Sequence, residues 1–182
     1  GALGDLSRFR EIKICACGTS YHAAIVASYL FERNSKIRAS AEIASEFRYK
    51  EPYLSSDMLF VVISQSGETA DTLEALKIAK NAGLTTLAIC NVDNSTIVRE
   101  SDATILTRAG IEKGVASTKA FATQALVFWM ASIVFGKIRG AISDEFIKRE
   151  IEAILTAKDA IAVDSSMHEK LKRLSKRYLH GH

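Results

Sequence analysis

Hydrogen-bonding side chains crowd around one glycine in the segment Ser64-Gln65-Ser66-Gly67-Glu68-Thr69. An apolar, β-branched run over residues 58–63 precedes it, as in a strand buried on both faces. Apolar residues recur at helical spacing after it, over residues 70–79. The segment is therefore predicted to be a strand-to-helix turn, where free backbone N–H groups and the helix dipole favour an anion. Hydroxyl and amide groups at such a place suit a phosphate.

Helix capping is the alternative interpretation of these hydroxyls, because Ser66 or Thr69 alone would serve as an N-cap. So dense a set of polar side chains exceeds what one cap needs. The loop has no Lys of the nucleoside-triphosphate type, and the chain has no GxGxxG segment that would indicate a dinucleotide. We therefore predict a phosphomonoester held by neutral donors, namely Ser64, Gln65, Ser66 and Thr69.

A second turn with hydroxyls follows the first predicted strand, residues 11–17. Gly18 is followed there by Thr19 and Ser20, and Ser20 is the expected N-cap of a helix that runs to about residue 32. Ligands of parallel sheets bind at the carboxyl ends of the strands, where neighbouring connections diverge. Both turns are therefore expected at the same edge.

A third loop, residues 109–119, contains two glycines and enters a long apolar helix predicted over 118–138. Ser117 or Thr118 would cap this helix. Val115 and Ala116 would bring backbone close to a ligand. For Lys119 the alternatives are a phosphate counterion and a solvated side chain.

Strands are predicted over residues 11–17, 37–43, 58–63, 84–91 and 103–107, with helices between them. Gly83 is expected to close one of these helices in the left-handed conformation, and Ser95 to cap a short one. This alternation implies right-handed crossovers. The predicted fold class is α/β, with a five-stranded parallel sheet and helices on both faces.

The end of the chain is predicted to be helical, over residues 143–161 and 166–178. We expect residues 1–142 to form the sheet domain and residues 143–182 a helical extension. Basic residues cluster over 170–177 without interleaved aromatic rings, which favours a solvated helix face over nucleic-acid binding.

Composition bounds the function further. The chain has 182 residues, 48% of them hydrophobic, and 24 basic against 21 acidic side chains, a balance that does not favour nucleic acid. No apolar run of about 20 residues and no signal peptide are recognised, so a cytoplasmic protein is expected. Cys15, Cys17 and Cys90 lack zinc-site spacing and are predicted to be structural thiols.

Blocks of this sequence resemble the sugar isomerase (SIS) domain. The blocks are Cys-Gly-Thr-Ser-Tyr at 17–21, Glu-Ile-Ala-Ser-Glu-Phe-Arg-Tyr at 42–49, Ser-Gln-Ser-Gly-Glu-Thr-Ala-Asp-Thr at 64–72 and Gly-Val-Ala-Ser-Thr-Lys-Ala-Phe at 114–121. Together they are most similar to the first of two SIS halves in the glutamine–fructose-6-phosphate aminotransferase family.

This resemblance implies a flavodoxin-like three-layer sandwich that binds fructose 6-phosphate or glucosamine 6-phosphate. It also implies a homodimer. The balanced charge and the lack of an apolar run long enough for a membrane span predict that neither nucleic acid nor membrane is a partner, and no metal or cofactor is expected. Ser64, Gln65, Ser66 and Thr69 would hold the phosphate with Thr19 and Ser20 nearby, and Val115 and Ser117 would line the sugar.

In that family, catalysis needs a glutaminase domain with an N-terminal Cys and a second SIS half that supplies Glu, His and Lys. Gly1 cannot replace that Cys. We therefore expect a piece of a longer protein that binds phosphosugar and contains no catalytic residue of its own. The alternatives are a phosphosugar-sensing SIS module of a regulator and a complete one-domain isomerase.

Overall fold

A computed structural model of the protein describes residues 2–112 and 117–179. The chain divides into two compact units, Gly1–Asp144 and Glu145–His182. The boundary lies close to the one expected at residues 142 and 143. That the second unit leads into another SIS half stays a prediction.

The first unit is built on a parallel sheet of five strands in the order β2-β1-β3-β4-β5. The chain leaves β1 toward one edge and returns to β3, so the crossover direction reverses between these two neighbouring strands. Such a reversal opens a crevice at the carboxyl ends of the strands. The strands are β1 (Glu11–Ala16), β2 (Arg38–Ile43), β3 (Met58–Ser64), β4 (Thr85–Cys90) and β5 (Ala103–Leu106).

Helices cover both faces of the sheet. Two core clusters fill the layers, one with side chains of α1 and α5 and the other with side chains of α2, α3 and α4. A short 3-10 turn, Leu6–Arg8, precedes β1. The helices are α1 (Gly18–Ser35), α2 (Ala44–Phe47), α3 (Ala70–Asn81), α4 (Thr96–Glu100), α5 (Lys119–Ile138), α6 (Asp144–Ala160) and α7 (Ser165–Arg177).

The central strand β3 is buried along its whole length, as its apolar sequence predicts. Leu59, Val61 and Ile63 point into the first core cluster, while Phe60 and Val62 point into the second. This alternation ties both helical layers to one strand. The five-stranded parallel α/β fold predicted from the sequence is therefore confirmed.

The cysteines are free thiols, and Cys15 and Cys90 are buried while Cys17 is half-buried. Burial raises the pKa of the Cys15 thiol to about 12, which leaves it protonated at neutral pH. Cys15 and Cys90 therefore fill the interior as small apolar side chains.

The apolar helix α5 corrects the expectation that the chain has no apolar run of about 20 residues. Within the described ranges it alone is long and apolar enough to cross a membrane by length and composition. One side of it is packed in the core, where the rings of Phe128 and Phe135 meet Phe31 edge-on at 6.2 and 5.5 Å between centroids. Helices of a protein core meet the same length and composition criterion, so the match is weak evidence of a membrane span.

Candidate functional site

The candidate site lies at the carboxyl ends of β1 and β3, where the crossover direction reverses. A cavity of about 290 Å³ opens there. Every predicted site residue within the described ranges lines it, whereas Val115 lies outside those ranges. The lining residues are Cys17, Gly18, Thr19, Ser20, Ile63, Ser64, Gln65, Ser66, Thr69, Glu112 and Ser117.

Ser64 organises the loop after β3. Its side chain is only 2% exposed, and its Oγ accepts a hydrogen bond of 2.9 Å from the backbone N–H of Gly67. The same Oγ lies 3.0 Å from Thr69 Oγ1. Because only one hydroxyl of such a pair donates to the other, the second keeps its proton for another acceptor. The pair therefore offers a donor to a ligand while it holds the turn closed.

Gly67 lets this loop approach α4. It has φ +70°, and a Cβ at its position would lie 1.9 Å from Ser95 Oγ and 2.9 Å from Cys90 Sγ. Its carbonyl accepts a 3.0 Å bond from the N–H of Ile97. Only glycine satisfies both the left-handed backbone and the close approach.

Helices at this edge begin without a cap from their own N-cap side chains, which corrects the sequence expectation. The N-cap positions of α3, α4 and α5 are occupied by Thr69, Ser95 and Thr118. None of these side chains accepts a capping hydrogen bond from the backbone of its own helix. Helix α1 begins at Gly18, where φ +57° turns the chain directly from β1, so Ser20 lies inside its first turn. By contrast, Asp164 caps α7 in the ordinary way.

Carboxylates from neighbouring loops replace two of these caps. Glu68 Oε1 accepts from Thr96 N–H at the start of α4 at 2.7 Å, and this bond lowers the pKa of the carboxyl group. Glu112 Oε2 accepts from Ala120 N–H of α5 at 3.0 Å and lies 3.4 Å from Ser117 Oγ. Glu112 is not predictable from the sequence as a cap, since an acid eight positions before its partner is outside the local capping pattern.

The charge of the cavity lining is unusual for an anion site. Its described lining residues include the carboxylate of Glu112 and no Lys, Arg or His. Lys119 is outside this lining, and its ammonium donates to the carbonyl of Ile111. Any anion held here would therefore depend on neutral donors and on helix N-termini.

No cluster of three or more His, Cys, Asp or Glu suited to a metal ion occurs among residues 2–112 and 117–179. The expectation that the protein needs no metal or cofactor stays a prediction.

The strand order and the cavity at the reversal point define a doubly wound, flavodoxin-like α/β domain. The family model of the SIS domain matches residues 5–134. The chain belongs to the SIS domain family.

Two bacterial proteins are similar to this chain over almost all of its length. The chain is 60% identical to the glutamine–fructose-6-phosphate aminotransferase (isomerizing) of Campylobacter jejuni over 98% of its own length. Its identity to the enzyme of the same name from Helicobacter pylori is 52% over 97%. It covers only 29% and 30% of those proteins.

A solved structure supports the same relationship. The C-terminal domain of glucosamine-fructose-6-phosphate aminotransferase from Francisella tularensis superposes with a TM-score of 0.89 at 39% identity. The match covers 97% of this chain and 50% of that one.

Proposed function

We propose that this chain is the phosphosugar-binding SIS domain of a glutamine–fructose-6-phosphate aminotransferase. Its cavity takes fructose 6-phosphate or glucosamine 6-phosphate, with the phosphate on Ser64, Gln65, Ser66 and Thr69. Thr19 and Ser20 lie nearby. Val115 and Ser117 line the sugar.

The observation that carries this proposal is the absence of side-chain caps on α1 and α3, both of which start at the cavity. Their first N–H groups lack intrahelical partners, as in every helix. Cys17, the N-cap residue of α1, has no hydroxyl, and the hydroxyl of Thr69, the N-cap residue of α3, pairs with Ser64 Oγ instead. A phosphate supplies the missing acceptor, and each bond to a charged group contributes about 1.5–3 kcal/mol.

The chain alone is proposed to bind the phosphosugar without catalysing its conversion. Glu112 is the one Asp or Glu in the described cavity lining, and its carboxylate already accepts from Ala120 N–H. An acid or base for isomerisation would have to reach the open-chain sugar from elsewhere in a longer protein.

A calorimetric titration with fructose 6-phosphate, glucosamine 6-phosphate and unphosphorylated fructose tests the proposal. Saturable binding is expected for the phosphosugars alone, with Kd between about 1 μM and 1 mM. Ser64→Ala and Thr69→Ala each remove a donor and should weaken binding roughly tenfold to hundredfold.

Ser175→Ala and Thr156→Ala are the matched controls. Their hydroxyls bond to carbonyls of their own helices, α7 and α6, and both side chains are exposed. These variants should retain the affinity of the unchanged chain. Equal binding of fructose and its phosphate would contradict the proposal, as would turnover of fructose 6-phosphate by the purified chain.

The proposal also includes a homodimer that acts in the cytoplasm and binds neither nucleic acid nor membrane. The names of the relatives, which are metabolic enzymes, support the cytoplasmic location. Sedimentation equilibrium at several concentrations measures the oligomeric state directly.

A further inference from the structure

Asn91, immediately after β4, makes a set of hydrogen bonds that the proposed binding role does not use. Its Nδ2 donates to the carbonyl of Gly110 at 2.8 Å. Its Oδ1 accepts from Thr107 Oγ1 at 3.1 Å and from the N–H of Ala109 at 2.7 Å. One amide therefore holds the segment that follows β5 at both its beginning and its end.

That segment has a backbone that needs such support. Arg108 has φ +52° and Gly110 has φ +72°. Glycine adopts the left-handed region readily, but arginine does so only when surrounding contacts enforce it. The bonds from Asn91 to the residues on either side of Arg108 supply that constraint.

The segment leads directly to the candidate site. Glu112, two positions after Gly110, lines the cavity together with Ser117 and bonds to the start of α5. Asn91 itself does not line this cavity; it lines an adjacent one of about 490 Å³ that shares Gln65 and Glu112 with it. Asn91 is thus placed to act on the site through the segment it holds.

We infer that Asn91 is a positioning residue of the phosphosugar site: its amide fixes the turn after β5 and thereby places Glu112 against Ser117 and the start of α5. The consequence for ligand affinity rests on the proposed function. The structural step, from Asn91 to Glu112, does not depend on it.

The chemistry of the amide provides a specific variant that tests this inference. Asn91→Asp keeps an oxygen for Thr107 and Ala109 but replaces the donor to Gly110 with a second oxygen. A carboxylate would then face the Gly110 carbonyl without a proton between them, and the turn would open there. Asn94→Asp is the matched control, because Asn94 lies in the same connection with no side-chain hydrogen bond among the described contacts. Its φ of +57° is also one that Asp tolerates.

Amide hydrogen exchange tests the structural step without ligand. Ala120 N–H bonds to Glu112, whereas Ala122 N–H bonds to the Thr118 carbonyl within the same helix. Asn91→Asp should speed exchange at Ala120 about tenfold and leave Ala122 within about twofold. Asn94→Asp should change neither. Equal acceleration at both amides would mean general fraying of α5, and no acceleration would mean no coupling; either result overturns the inference.

Thr107→Val is the milder variant, since it removes only one of the three bonds. It should accelerate Ala120 exchange in the same direction and by less, even if Asn91→Asp proves too unstable to measure. Titration with fructose 6-phosphate then tests the consequence for the site. Affinity should fall at least threefold in Asn91→Asp, which corresponds to roughly the energy of a neutral hydrogen bond. It should stay unchanged in Asn94→Asp. Absence of binding in the unchanged chain would refute the proposed function alone, whereas equal binding by all variants would refute the positioning role.

Discussion

Gly67 is the residue on which the shape of the loop depends most directly. Gly67→Ala would place a methyl group within 2.3 Å of Ser95 Cβ, at a backbone angle of +70°. Overpacking costs about 1–3 kcal/mol, and the left-handed conformation adds roughly 1–2 kcal/mol for a residue with a Cβ. Urea denaturation should show this loss of stability, and phosphosugar affinity should fall with it because the loop moves away from α4.

Gly83→Ala provides the comparison for Gly67→Ala. Gly83 also has a positive φ, +75°, but a Cβ there would meet no atom of the described residues within 4 Å. This variant should lose about 1–2 kcal/mol from backbone strain alone and keep its ligand affinity. A Gly67→Ala protein as stable as Gly83→Ala would show that the contact with Ser95 is not restrictive.

Residue types at the site were predictable, whereas the partners of those residues were not. The hydroxyls of Ser64 and Thr69 follow a strand and precede a helix, which is enough to place them at the sheet edge. That Glu68 would cap α4 depends on a contact 28 positions along the chain. That Asn91 would hold Gly110 depends on one 19 positions along. Contacts between residues so far apart in the chain are set by the order of the strands, and local sequence patterns do not contain that order.

At the scale of elements, α1 and α5 are joined by buried polar side chains as well as by aromatic rings. Asn34 Nδ2 donates to Ser132 Oγ at 2.9 Å, and Ser35 Oγ donates to the Ser132 carbonyl at 2.8 Å. All three side chains are buried. Gly136 on the same face leaves room for the backbone carbonyl of Asn34, whose oxygen would lie 2.5 Å from a Cβ at position 136. The two helices therefore pack in one register.

Ser132→Ala tests this polar contact between helices. It leaves the buried Asn34 amide without its acceptor, which costs about 1–3 kcal/mol. Thermal or urea unfolding should show that loss, while the sheet edge and phosphosugar affinity stay unchanged. The double variant Ser132→Ala with Asn34→Leu removes the orphaned group and should recover part of the stability. If Ser132→Ala is as stable as the unchanged chain, water or another group satisfies Asn34.

Strands were easier to predict than the starts of helices. The burial of β3 over Met58–Ser64 follows from an uninterrupted apolar run, and its predicted bounds of 58–63 differ by one residue. The start of α1 was predicted at Ser20 from capping preference, but the positive φ of Gly18 allows the helix to begin there instead. Local capping rules assume that a hydroxyl serves the backbone, and at this edge the hydroxyls face a cavity.

At the scale of the whole molecule, the interior of the first unit is self-contained. Among the described residues, the buried members of both core clusters lie between Phe9 and Phe135, all of them before Asp144. Helix α7 has no buried residues, and its apolar side chains Met167, Leu171 and Leu174 are 45–50% exposed. The stability of the sheet unit should therefore not depend on residues 145–182.

A chain that ends at Asp144 tests that independence. It removes no core residue, so its unfolding should remain cooperative, with a free energy within about 1 kcal/mol of the full chain, as for changes made outside the core. Its affinity for fructose 6-phosphate should be unchanged, because every described residue that lines the cavity lies before residue 118. A chain that ends at residue 134 is the control, since it removes Phe135 from its edge-on contact with Phe31 and should lose cooperativity. Loss of cooperativity or of affinity in the chain that ends at Asp144 would instead mean that the last two helices belong to the fold or the site of the sheet unit. That result would place the functional boundary of the domain beyond residue 144, in contrast to the boundary that packing alone defines.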